Sequence, residues 1–320
     1  MQDKYKREIN YMRISVTDRC NLNCFYCQPL KKTSFLPRSE ILTYEEFLRL
    51  VQIAIDLGIK KFRLTGGEPL VRKNLPLFIK KVLSLEGIED FSLTTNGILL
   101  GEFIDELWEA GLRRINISLD SLDEEKYAEI TGGGNLKKVL NSLEKAIEKG
   151  FDPVKINVVL LKGINEDLTP FIELAREYPV YVRFIELMNT NSKNKKHFLS
   201  CEDARLRLSV YGEIIEVNSP QGGGPAKYYK LPGIKKSIGF ICPYSDHFCP
   251  TCNRLRISAD GKLRPCLFSD WYMDLKAPLR QGVSDGKIKQ MILACLKKKP
   301  LNRKKAGEGN KLINMREVGG

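Results

Sequence analysis

Between Tyr11 and Met188 the chain alternates short β-branched and aromatic runs with amphipathic stretches of helical period, the pattern of a parallel sheet wrapped by helices. The first strand reads YMRISVT, Tyr11 to Thr17. Thr43 followed by Glu46 is a capping box opening a helix to Gly58, with Phe47, Leu50, Val51 and Ala54 as its buried stripe. Strand KFRLT runs into Gly66-Gly67-Glu68-Pro69, and a helix through Phe78 and Val82 follows. FSLTT precedes Asn96-Gly97, and FIDELWEA forms a helix ending at Gly111. RINISLD, Arg114 to Asp120, is the fourth strand, and one long helical stretch then runs to Gly150. VKINVVL, a helix within Asp167 to Glu177, and VYVRFIELM complete six β/α units, with no comparable seventh or eighth. The expected fold is α/β, an open partial (β/α)6 TIM-type barrel with its chemistry at the carboxyl ends of the strands.

Beyond Met188 the periodicity lapses. Asn189 to Lys196 reads as a polar loop, so the domains are set at 1–195 and 196–320. Gln221 to Pro225 is Gly-rich but lacks the strand-to-helix setting of a phosphate-cradling loop, and is assigned no chemistry. Phe248 to Leu267 reads as a hairpin, because Asp260-Gly261 is a turn between RIS and KLRPCL.

Composition narrows the class. With 320 residues and 42% hydrophobic content the chain can bury a full core. A net charge of +13 suits nucleic acid, a membrane surface or a phosphorylated small molecule, or a lysine-rich solvated surface. No apolar run approaches the roughly 18 residues needed to span a bilayer. The charged start MQDKYKREIN lacks an apolar signal region, so the nine cysteines point to metal ligation rather than disulfides, in a reducing cytoplasm.

Cys20, Cys24 and Cys27 form CxxxCxxC, three thiolates with no fourth in reach. A cubane iron-sulfur cluster takes four ligands, so three leave one iron open. A zinc knuckle or unrelated thiols is the bland alternative. Gly66 and Gly67 allow the backbone to approach a ligand closely, and Glu68 could meet an ammonium group. Cys249, Cys252 and Cys266 are a second trio, brought together by the hairpin. Adding Cys242 would make a closed four-thiolate site. Its position seven residues before Cys249, next to Pro243, favours an extended strand end instead, so Cys242 is expected to be a spectator. With only His197 and His247, an imidazole acid-base site is not evident.

The CxxxCxΦC motif with Tyr26, followed by Gly66 to Pro69, resembles the radical SAM superfamily. That resemblance implies a 4Fe-4S cluster on Cys20, Cys24 and Cys27, and S-adenosylmethionine contacts at Tyr26, Gly67, Glu68, Ser118 and Met188. RISVTDRCNLNCFYC, RLTGGEPLVR, GLRRINISLD, DHFCPTCNRLRISADGKLRPCLF and the closing double glycine are similar to the GTP 3′,8-cyclase family of molybdenum cofactor biosynthesis, over nearly the whole chain. This implies a second 4Fe-4S cluster on Cys249, Cys252 and Cys266 in a C-terminal iron-sulfur extension, its open iron facing guanine. GTP contacts are implied at Arg13, Arg63, Thr94, Lys155, Arg254, Leu255 and Arg256, with Arg254 and Arg256 also catalytic, and Gly319-Gly320 as a tail reaching the site. Also implied are a reductant, a downstream cyclic pyranopterin monophosphate synthase and a homodimer, with neither nucleic acid nor membrane as partner. Two alternatives stay open at this point: another radical SAM enzyme with auxiliary clusters, such as a peptide or sulfatase maturase, and a zinc protein that binds nucleic acid.

Overall fold

The structure, a computed structural model, describes residues 1–27, 35–188, 192–220, 224–306 and Met315. The six units form as strands β1 (Tyr11–Ser15), β2 (Lys61–Thr65), β3 (Asp90–Thr95), β4 (Ile115–Ser118), β5 (Val154–Leu160) and β6 (Tyr181–Glu186). The helices between them are α1 (Tyr44–Asp56), α2 (Leu75–Leu83), α3 (Ile104–Glu109), α4 (Glu124–Thr131), α5 (Leu136–Glu148) and α6 (Thr169–Glu177). Thr43 and Glu46 make the reciprocal capping bonds of α1, and Phe47, Leu50, Val51, Ile53 and Ala54 are its buried face. That face packs with Phe62, Leu64 and Phe78 in the main core, between sheet and helices.

One helical stretch divides where the sequence suggested continuity. Gly132 takes φ +70° and Gly133 φ +100°, which end α4, and a β-carbon on Gly134 would lie 2.5 Å from the Thr131 hydroxyl. The break has a use, because the carbonyls of Ile130 and Thr131 at the end of α4 accept from Phe25 and Asn23 of the cysteine loop.

After β6 the chain adds α7 (Cys201–Leu208), β7 (Ile215–Val217), β8 (Lys227–Lys230), β9 (Ile238–Ile241), β10 (Arg254–Ile257), β11 (Lys262–Arg264), β12 (Met273–Asp274), α8 (Lys276–Arg280) and α9 (Asp285–Lys297). These strands do not form a sheet of their own. β9 pairs in parallel with β6, and β10 in parallel with β1, so both edges of the barrel sheet are extended. The resulting order is β12-β11-β10-β1-β2-β3-β4-β5-β6-β9-β8-β7. The hairpin expected from Asp260-Gly261 is β10-β11, with Gly261 at φ +80°.

One cysteine expectation is corrected: Cys201 and Cys242 form a disulfide. They meet because Cys201 starts α7 while Cys242 follows β9, and both segments are tied to Glu186 at the end of β6. Its buried carboxylate accepts from the backbone amides of Cys201 at 3.0 Å and Tyr244 at 2.8 Å. Local sequence does not reveal a pairing across 41 residues.

Candidate active site

The carboxyl ends of the strands surround a cavity of about 280 Å³ lined by both cysteine trios. Ordinary TIM-type barrels fill this space with branched apolar side chains. Here the register places Arg256, Arg13, Arg63 and Ser92 opposite one another across β10, β1, β2 and β3, so three guanidinium groups form one layer. Arg183 on β6 lines the cavity from the far side, where it donates to Asn116 at 2.6 Å. Motif reading missed Arg183, although it lies within the RFIELM stretch. Its signal was a cation at an inward strand position.

The cations burden one another. Burial, then the charge of Arg256, holds Arg13 well below its usual value, and burial followed by Arg254 brings Arg256 down to about 10. Lys155 lies on the same face of β5 as Asn157, one layer deeper, and does not itself line the cavity. Burial, then Arg183, Arg114 and Arg63, lowers its ammonium to about 6. A cavity floor with this much mutual repulsion is suited to a polyanion.

The CxxxCxxC loop is fixed by backbone and by polar side chains. Besides its bonds to α4, Cys20 Sγ accepts from the Leu22 amide at 3.4 Å and from Asn96 Nδ2 at 3.8 Å. Tyr26 donates its hydroxyl to Asp120, whose other oxygen accepts from the Val159 amide. Burial raises Asp120 to about 6 and, with the Asp120 charge, pushes the Cys24 thiol up. The turn after β2 packs directly on this loop: Gly67 donates to Thr17 at 2.7 Å and Glu68 to Arg19 at 2.8 Å. A β-carbon on Gly67 would stand 2.2 Å from the Arg19 carbonyl. Gly67→Ala is therefore expected to displace the loop at a cost of about 1–3 kcal/mol, as overpacking does. Lower iron uptake by the first trio, with a lower Tm, is the result to look for.

Tyr26, Gly67, Ser118 and Met188 line the cavity, as do Arg13, Arg63, Thr94, Arg254 and Arg256. Glu68 lies behind it, fully buried, with its carboxylate accepting from Thr95, Asn96 and Leu70. Burial carries Glu68 to about 7. Leu255 alternates with Arg254 and Arg256, so its side chain enters the core while theirs face the cavity. His197 packs on Phe25 and His247 hydrogen-bonds the Pro243 carbonyl, both structural contacts. Met315 lines the cavity, whereas Gly319-Gly320 lie outside the described residues.

The second trio sits in a cationic setting. Burial opposes the Cys252 thiolate, but Arg254 and Lys299 outweigh it and draw the thiol down to about 6. Arg254 reaches Cys252 Sγ at 3.9 Å and lies over the Phe248 ring. None of the six cysteines of the two trios is in a disulfide, and all six line the cavity. A set of three thiols suits a cubane iron-sulfur cluster with one iron left open. Cys242, bonded to Cys201, supplies no fourth thiolate, in keeping with a spectator.

An open α/β barrel that ends in CxxxCxxC beside a Gly-Gly turn defines a radical SAM protein, and residues 14–175 match the radical SAM superfamily. Residues 180–305 match the family described as Molybdenum Cofactor Synthesis C. The GTP 3′,8-cyclase of Thermodesulfovibrio yellowstonii is 46% identical over 305 residues, 94% of either chain. That of Syntrophomonas wolfei is 46% identical over 331 residues, covering 100% of both. Streptococcus suis SuiB bound to S-adenosylmethionine shares the fold, with TM-score 0.65 and 15% identity over 92% of this chain and 72% of that one. The chain belongs to the GTP 3′,8-cyclase family. Among the described residues no helix is long and apolar enough to cross a membrane.

Proposed function

We propose that this chain converts GTP to (8S)-3′,8-cyclo-7,8-dihydroguanosine 5′-triphosphate, the first step of molybdenum cofactor biosynthesis, with S-adenosylmethionine as co-substrate. The observation that carries the reading is the single cavity that combines two cysteine trios with the Arg13, Arg63, Arg183, Arg254 and Arg256 cations. Residues 1–195 would generate the radical, and 196–320 would supply the second trio and the Gly319-Gly320 tail.

When bound, the cluster on Cys20, Cys24 and Cys27 supplies the electron that splits S-adenosylmethionine into methionine and a 5′-deoxyadenosyl radical. GTP would be held with its C3′ hydrogen toward the S-adenosylmethionine site and with C8 of guanine beside C3′, so that loss of that hydrogen, closure of the C3′–C8 bond and addition of one electron and one proton would give the product. A second cluster on Cys249, Cys252 and Cys266 would offer guanine an iron ligand site. Protein side chains supply orientation and exclusion of water, because a primary carbon radical takes the nearest hydrogen. The arginine layer neutralises the triphosphate, with guanidinium forks suited to paired phosphate oxygens. Gly66, Gly67, Tyr26, Ser118 and Met188 would hold S-adenosylmethionine, and Glu68 would act by fixing the turn. Electrons come from an external reductant, the product passes to a cyclic pyranopterin monophosphate synthase, and the setting is cytoplasmic, with a homodimer as the assembly.

Anaerobic reconstitution with iron and sulfide, followed by GTP, S-adenosylmethionine and dithionite, tests the reading. Formation of 5′-deoxyadenosine and the 3′,8-cyclised nucleotide is expected; 5′-deoxyadenosine without a cyclised nucleotide would refute it.

Lys155 gives this reading a pH signature. Burial holds its pKa in the folded chain at about 6, below the ordinary lysine value of 10.5, so between these limits the unfolded chain holds the extra proton. Stability of the ligand-free protein therefore rises with pH across that window, relative to Lys155→Met. The charge of a triphosphate bound one layer above would raise the ammonium's pKa, so GTP binding at pH 8 should be accompanied by proton uptake. Titration calorimetry in buffers of different ionisation enthalpy measures this uptake, and Lys155→Met should abolish it.

A further inference from the structure

Lys299 follows the end of α9 and is 2% exposed, a rare degree of burial for lysine. Its ammonium donates to the Arg254 carbonyl at 2.7 Å, to the Pro265 carbonyl at 2.8 Å and to Cys252 Sγ at 3.5 Å. These acceptors belong to both arms of the hairpin that carries the second trio, since Arg254 opens β10 and Pro265 precedes Cys266. Three donors on one ammonium thus meet three acceptors around one cradle, and Lys299 is among the residues that line the cavity.

The segment that delivers Lys299 is held in place by a second cation. Arg7 donates to the Pro300 carbonyl at 2.7 Å, the Leu301 carbonyl at 3.1 Å and the Cys249 carbonyl at 2.9 Å. Its own position is set by a buried ion pair with Asp3 at 2.6 Å. Arg7 therefore fixes the chain just past Lys299 and the first cysteine of the trio together. An ammonium placed by three independent contacts, on a braced segment, is not a surface lysine folded inward by chance.

We propose that Lys299 is a positioning residue of the second cluster: it clamps the two arms of the Cys249, Cys252 and Cys266 cradle and sets a fixed positive charge against the Cys252 sulfur. The proposal rests on the two-cluster reading above. Two effects follow from the contacts. With the ammonium removed, the Arg254 and Pro265 carbonyls lose a buried donor, so the cradle is less well ordered before iron arrives. A cation that hydrogen-bonds a cluster sulfur also favours the more negative, reduced state, so its loss lowers the reduction potential.

The experiment uses the full chain carrying Cys20→Ala, Cys24→Ala and Cys27→Ala, so that only the second trio binds iron. Lys299, Lys299→Met and Lys299→Arg versions are reconstituted anaerobically with iron and sulfide. Iron per chain, iron retention against a chelator, and midpoint potential by redox titration monitored by electron paramagnetic resonance are then compared. Lys299→Met is expected to retain iron about 10-fold less well and to have a lower midpoint potential, while Lys299→Arg recovers the potential. Should Lys299→Met fail to fold, Lys299→Gln, neutral but still a donor, carries the same comparison. Equal potentials for the charged and neutral versions would overturn the proposal. Failure of the Lys299 version itself to take up iron would overturn the second-cluster reading, and is distinguishable from the first result.

Discussion

Cys24→Ala should abolish formation of 5′-deoxyadenosine and remove about half of the bound iron, leaving the second trio loaded. Three thiolates are the fewest that hold a cubane cluster with one open iron, so loss of one removes the site and not merely part of its affinity. The loop itself should persist, because its shape comes from other contacts: Asn23 and Phe25 on the end of α4, Tyr26 on Asp120, and Gly67 on Thr17. Loss of activity would therefore come without loss of fold, and an unchanged melting profile of the iron-free protein, with halved iron and sulfide after reconstitution, is the combination to seek. Cleavage of S-adenosylmethionine at the unaltered rate would show that Cys20, Cys24 and Cys27 are not the radical-generating set.

The second large effect belongs to the arginine layer. Arg256→Met is expected to weaken GTP binding by about 1.5–3 kcal/mol, the worth of a hydrogen bond to a charged group, or roughly ten- to hundred-fold. Arg256 is the right test because it is 7% exposed, faces the cavity, and stands opposite Arg13 in the sheet. Methionine keeps the apolar stem in place while removing the charge and the fork. Arg256→Lys should recover only part of the loss, since an ammonium cannot reproduce a paired contact. Equilibrium dialysis with GTP under anaerobic conditions measures both variants; unchanged affinity in Arg256→Met would remove Arg256 from the substrate site.

Local pattern made the barrel half readable, because each β/α unit announces itself by its own period, and a capping residue such as Thr43 needs no distant partner. The cysteines of the first trio and the Cys249-Cys252 pair of the second were equally plain, since CxxxCxxC and CxxC are short-range spacings. The sequence by itself also determined that Asp260-Gly261 turns a hairpin, as that dipeptide suits the turn wherever the chain goes.

Tertiary structure decided what spacing cannot carry. Whether a strand joins a sheet depends on a partner far along the chain, so the parallel pairing of β10 with β1 and of β9 with β6 was hidden, and with it the Arg256-Arg13-Arg63 layer. The Cys201-Cys242 disulfide, the Arg183 cation and the Lys299 clamp are of the same kind: each is ordinary in its local sequence and acquires meaning only from neighbours that folding delivers. Glu68 shows the converse. Its motif offered a carboxylate to a ligand, and folding surrounds that carboxylate with donors from Thr95, Asn96 and Leu70, which no local spacing announces.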